Sequence, residues 1–132
     1  MSVEPGLNGH VELVVTEGDT AVAAGSGDVA VLSTPRIVAL CEEAAVLAMF
    51  GQLPDGETTV GMRIQLDHLA PTAVGDLVTV DAKLEKIQGR RLKFSVSVND
   101  GRGLVAAGKV TRVVVVRDRF LATCSATSPP RA

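Results

Sequence analysis

One helix-length apolar segment stands among stretches that alternate, and this contrast constrains the fold more than any other feature of the chain. From Pro35 to about Phe50, apolar residues fall on nearly every side of a helical turn, which marks a helix enclosed by other structure. Gly51 ends it. Beyond a Pro54-Asp55-Gly56 turn come four strand-length stretches, roughly 58–69, 76–87, 91–99 and 103–117, parted by turns at Gly89 and at Asn99-Asp100-Gly101. Val78, Val80, Ala82 and Leu84 alternate with Thr79, Asp81, Lys83 and Glu85, and Leu92, Phe94, Val96 and Val98 with Arg91, Lys93, Ser95 and Ser97. A sheet with one dry face and short turns is antiparallel, and the enclosed helix predicts that it curls around that helix, giving an α+β domain. His10 to Thr16 and Thr20 to Ala24 read as a further strand pair around Glu17-Gly18-Asp19. The 21 valines, against three Phe and no Tyr or Trp, supply β-branched residues for such strands. We expect a single domain over residues 1–124 and a flexible tail over 125–132.

Three polar residues sit where this plan packs elements together. The helix signal opens at Ser33-Thr34-Pro35, which reads as Thr34 at the N-cap and proline at the first helical position. Glu42 follows two turns later. In Val60-x-Met62-x-Ile64-x-Leu66-x-His68 every second residue is apolar until the histidine arrives in the same phase, so His68 is expected on the buried face. A hydroxyl, a carboxylate and an imidazole gathered in this way make a candidate acid–base site. Taken singly they also read as a helix cap, a surface carboxylate and a hydrogen-bonded core histidine.

The segment Thr34 to Met49, then Thr59-Val-Gly61, His68-Leu-Ala-Pro-Thr72, Val74-Gly75, Gly89-Arg-Arg-Leu92 and Asn99-Asp-Gly101, resembles the fluoroacetyl-CoA thioesterase branch of the hotdog-fold acyl-CoA thioesterases, over about residues 10–121. The resemblance implies the hotdog architecture and the hydrolysis of a small or medium acyl-CoA thioester to free acid and coenzyme A. It implies a catalytic trio of Thr34, Glu42 and His68. His68 is the general base, Glu42 its partner or the attacking carboxylate, and Thr34 a hydroxyl that orients or attacks. It also implies that the Gly61 N–H stabilises the oxyanion. Family members carry phenylalanines before the threonine that close a lid over the acyl group. Here that stretch is Gly25-Ser-Gly-Asp-Val-Ala-Val-Leu-Ser33, which suggests another small acyl group or a longer one. Two other readings belong to the same architecture: a hydroxyacyl-CoA dehydratase or hydratase, and a noncatalytic acyl-CoA-binding protein.

Charge narrows the partners. Residues 1–82 hold 12 acidic and 2 basic side chains, and residues 83–132 hold 3 acidic and 11 basic ones. Within the basic half Arg90 and Arg91 are candidates for holding coenzyme A phosphates, with the solvated face of a sheet as the alternative reading. Nucleic acid is not expected, because there are almost no aromatic side chains to stack on bases. Cys41 shares the helix phase of Ile37, Ala44 and Ala48 and reads as core rather than nucleophile; with Cys124 it makes no disulfide framework. No metal-binding spacing is present, so no metal and no cofactor beyond the coenzyme A of the substrate is expected. The longest apolar run, Ala44 to Phe50, is too short to span a membrane and the amino terminus has no signal-peptide core, so the expected location is cytoplasmic. An antiparallel sheet of this kind leaves an edge open, and Val113 to Val116 is apolar on both faces, so we expect a homodimer.

Overall fold

The computed structural model describes residues 3–131. Five strands, β1 (Asn8–Val14), β2 (Glu57–His68), β3 (Leu77–Gln88), β4 (Arg91–Asp100) and β5 (Gly103–Val116), form one sheet in the order β1-β3-β4-β5-β2, every pair antiparallel. The sheet curls about the long helix α2 (Thr34–Ala48). Ile37, Leu40, Cys41, Ala44 and Ala45 of the helix and Val78, Val80, Leu84, Leu92, Phe94, Val98 and Val110 of the sheet are almost fully buried in a common core. The strict alternation in β3 and β4 therefore does what the pattern predicts, one face dry and the other wet. At Gly9 the strand meets the helix backbone so closely that any Cβ would run into the Ala44 carbonyl, which only glycine permits.

Two local expectations are corrected. Thr20 to Ala24 is not a strand: Glu17–Asp19 forms a 3-10 turn and Ala21–Ala24 the short helix α1. Asp19 accepts from the Thr16 N–H and hydroxyl at 2.8 Å, and the Thr20 hydroxyl caps Ala23 N, so local side-chain bonds capture the backbone before it can extend. A third helix, α3 (Arg117–Ala122), follows β5 and leaves Phe120 half-exposed beside Val113 to Val116; the sequence pattern did not separate it from the strand.

Strand β2 lies at the sheet's end and holds a bulge. Gly61 is opposite Arg112 and Arg63 opposite Thr111, which leaves Met62 without a partner and half-exposed. The extra residue shifts the phase: Thr59 and Gly61 before the bulge, and Ile64, Leu66 and His68 after it, share the helix side, while Met62 does not. Helix α2 keeps one side uncovered as well, where Phe50 beyond its end is 84% exposed and Val46 and Leu47 nearly half so. No helix among the described residues is long and apolar enough to cross a membrane.

Candidate active site

The N-cap of α2 is Ser33, not Thr34. Ser33 Oγ accepts from Arg36 N at 3.1 Å, so Thr34 is the first helical residue and Pro35 the second. The reason lies upstream: Leu32 N and Ser33 N are already bound, to the carbonyls of Thr72 and Asp19, which sets Ser33 in extended conformation at the helix entrance. Relieved of capping, the Thr34 hydroxyl lies 2.7 Å from Nδ1 of His68, at the end of β2. Nε2 of His68 is buried and, among the described residues, is the one buried side-chain polar atom without a hydrogen-bond partner. When Nδ1 accepts the hydroxyl proton, Nε2 carries the ring proton. Thr34 and Nδ1 are thus set as hydroxyl and base.

Glu42 makes a second cluster. Its Oε2 is 3.0 Å from Nη1 of Arg112, a residue 7% exposed, and a Cβ at Gly61 would collide with that same Oε2. Arg112 spends its other nitrogens on Thr59, Nε on the hydroxyl and Nη2 on the carbonyl, both at 3.0 Å. Burial pushes the guanidinium pKa down, and the Glu42 carboxylate beside it pushes it back up. Sequence reading missed Arg112. The signal was present as a cation interrupting the apolar alternation Val110-x-Arg112-x-Val114, and a buried arginine implies a partner acid.

The expected trio therefore separates within one protomer into two pairs, Thr34 with His68 and Glu42 with Gly61. Eight residues of helix put them about 12 Å apart along α2. The expected phosphate pair, Arg90 and Arg91, also separates. Arg90 lies 3.6 Å from Glu57 and borders the Val113–Val116 depression, while Arg91 borders a different, strongly basic depression on the outer sheet face. Cys41 is fully buried and its thiol pKa is pushed up to about 11, chiefly by burial and then by Glu42, which fits a core residue and not a nucleophile. Among the described residues no three His, Cys, Asp or Glu side chains gather in a way that would hold a metal.

Comparison with known proteins adds family and fold. The sequence pattern of the fluoroacetyl-CoA-specific thioesterases matches residues 15–118. The fluoroacetyl-CoA thioesterase of Streptantibioticus cattleyicolor is 37% identical over 99 residues, 75% of this chain and 71% of that one. A solved structure of the fluoroacetyl-CoA thioesterase superposes with a TM-score of 0.88 at 30% identity, covering 98% of this chain and 100% of the other. A hot-dog-like protein from Thermanaerovibrio acidaminovorans gives 0.87 at 27% identity, covering 96% and 94%. The curled five-stranded sheet around one helix is the hotdog fold.

Proposed function

The chain belongs to the fluoroacetyl-CoA-specific thioesterase family, and from that membership we propose how this acyl-CoA thioesterase divides the reaction among its residues. His68 is the general base and Thr34 the hydroxyl it activates. The observation that carries this is the 2.7 Å contact between Thr34 Oγ1 and His68 Nδ1, made by a hydroxyl that Ser33 has freed from capping. Thr34 oxygen adds to the thioester carbon as His68 takes its proton, the Gly61 N–H receives the charge that develops on the carbonyl oxygen, and the carbon–sulfur bond breaks. The departing thiolate takes the proton from His68 and leaves as coenzyme A. Water then adds to the carbon of the acyl-Thr34 ester as Glu42, held by Arg112, takes its proton; the bond from that carbon to Thr34 Oγ1 breaks, and the proton passes to Oγ1, which releases the acid and restores the hydroxyl. No cofactor enters these steps.

Thr34 and Glu42, about 12 Å apart along one helix, come into one site if two helices lie antiparallel about a two-fold axis near Val38, since Thr34 of one protomer then falls opposite Glu42 of the other. The uncovered side of α2 and the open edge of β2 support such a homodimer. The family phenylalanines are replaced by the exposed segment after α1, with Val29 57% exposed, and this supports a small or medium acyl group other than fluoroacetyl. A cytoplasmic location suits a coenzyme A thioester.

Thiol release over a panel of acyl-CoA esters, followed by mass spectrometry of the quenched enzyme, tests the chemistry. An acyl group recovered on the peptide holding Thr34 is the expected result. Acylation of Glu42 instead would transfer the nucleophile's role. Mixing inactive His68→Ala and Glu42→Gln subunits tests the shared site: random reassortment restores about a quarter of wild-type activity if each site draws on both protomers. No recovery would return the whole site to one chain.

A further inference from the structure

The outer face of the sheet carries a cluster that hydrolysis at Thr34 and His68 does not use. Lys86 stands directly across from Lys93, Lys93 across from Thr111, and Thr111 across from Arg63, so three cations lie along one cross-strand row. Lys109 is in the neighbouring row, opposite Ser95 and Gln65, and Arg91 lies at the start of β4. The five surround a depression of about 340 Å³. None has a carboxylate within 4.0 Å among the described residues. One acid, Glu85, also lines the depression, but it stands at a bulge between Leu84 and Lys86 and accepts from the Ser95 hydroxyl at 2.8 Å.

Like charges directly opposed on neighbouring strands destabilise a sheet, and the ordinary remedy is an interleaved acid, as His10 has in Glu12 and Asp81 at the other end of the same sheet. Here five cations converge on one hollow with a single acid, Glu85, that lies within 4.0 Å of none of them among the described residues. Two planar guanidinium forks and three ammonium groups match clustered phosphate oxygens better than a single carboxylate. The hollow is bounded and small, and its rim offers no exposed aromatic ring, which favours a compact phosphorylated anion over a nucleic-acid strand.

We propose that this depression binds the phosphates of a multiply phosphorylated nucleotide, either the nucleotide end of the coenzyme A substrate or a free nucleotide. Arg63 is two residues past Gly61 across the Met62 bulge and faces the other side of β2, so the site lies on the opposite face of the sheet from the acyl centre. Binding itself does not rest on the thioesterase reading. Only the choice between the two sources does.

Calorimetric titration of the full chain with 3′,5′-ADP tests binding directly. Wild type should bind it with an affinity that falls as salt rises. Lys86→Glu with Lys93→Glu, checked for an unchanged melting profile, should weaken it by about tenfold or more. Arg63→Gln with Lys109→Gln serves as an independent pair should the first not fold. Absence of binding, unchanged affinity in a folded variant, or displacement by duplex DNA at lower concentration overturns the proposal. The Michaelis constants then identify the source. A rise for acyl-CoA with none for the matching acyl-pantetheine thioester assigns the substrate's own nucleotide, and no change for either assigns a free one.

Discussion

On the helix side of the sheet, Arg112 of β5 is 7% exposed and all three of its nitrogens are engaged by Thr59 and Glu42, whereas on the outer side Arg63 of β2 lies in a hollow with four other cations and, among the described residues, has no carboxylate within 4.0 Å. The difference follows from water. An uncompensated charge on the inner side would lack solvation, so Arg112 and Glu42 have defined partners and orientations there. Solvent screens the outer charges, and they can stay unpaired until an anion arrives. The inner side is therefore suited to positioning atoms for chemistry, and the outer side to attracting a charged ligand.

Substitutions should separate the two sides, and the inner ones should matter most. His68→Ala and Glu42→Gln are each expected to lower turnover by about 10²-fold or more, with the Michaelis constant little changed, as read by steady-state thiol release. Near-normal rates in both would remove the inner side from catalysis. Thr34→Ala should approach the same loss and Thr34→Ser should be mild, because serine keeps the oxygen 2.7 Å from Nδ1.

Next in size is Arg112→Lys, which keeps the charge but cannot reproduce the fork that joins Thr59 to Glu42. It should lower unfolding stability by about 1–2 kcal/mol in denaturant titration. Ser33→Ala tests capping apart from chemistry and should cost about 1 kcal/mol while leaving turnover close to wild type. A large loss of activity in Ser33→Ala would mean that the cap and the hydroxyl next to it act together.

The smallest effect belongs to the outer side. His10 lies 2.9 Å from Glu12 and 2.8 Å from Asp81, and these hydrogen bonds raise its pKa above 6.5. The folded state therefore holds the His10 proton more tightly than the unfolded chain. This contribution to stability is full below pH 6.5 and fades as pH rises through the folded value. NMR titration of the ring should give the raised pKa, and His10→Gln should flatten the slope of stability in that interval. An unshifted titration would show that exposed pairs on this face are fully screened.

Much of the fold was legible because its cause is local and periodic. Alternation in β3 and β4, the apolar helix stopped at Gly51 and the glycine turns are each set by neighbours two to four residues away. Thr34, Glu42, Gly61 and His68 were singled out through family resemblance, not through periodicity. Less visible were the local side-chain bonds that override strand content and the pairings between residues distant in sequence. Thr20 to Ala24 has strand-like content but folds as a turn and short helix under the bonds of Asp19 and Thr20. Periodicity put Met62 in phase with Ile64, and the bulge opposite Arg112 and Thr111 undid that phase.

Sequence by itself determined that one enclosed helix must be wrapped by an antiparallel sheet with a dry inner face, since spacing alone decides which side chains can leave water together. It also determined that the second half of the chain would be basic. Only tertiary structure decided that Ser33 caps the helix and so frees Thr34 for His68, that Arg112 is the cation holding Glu42, and that Arg90 and Arg91 part company. The Thr34–His68 and Glu42–Arg112 contacts join helix to strand across long stretches of sequence, and such bonds depend on angles and on distances of about 3 Å that no pattern along the chain records.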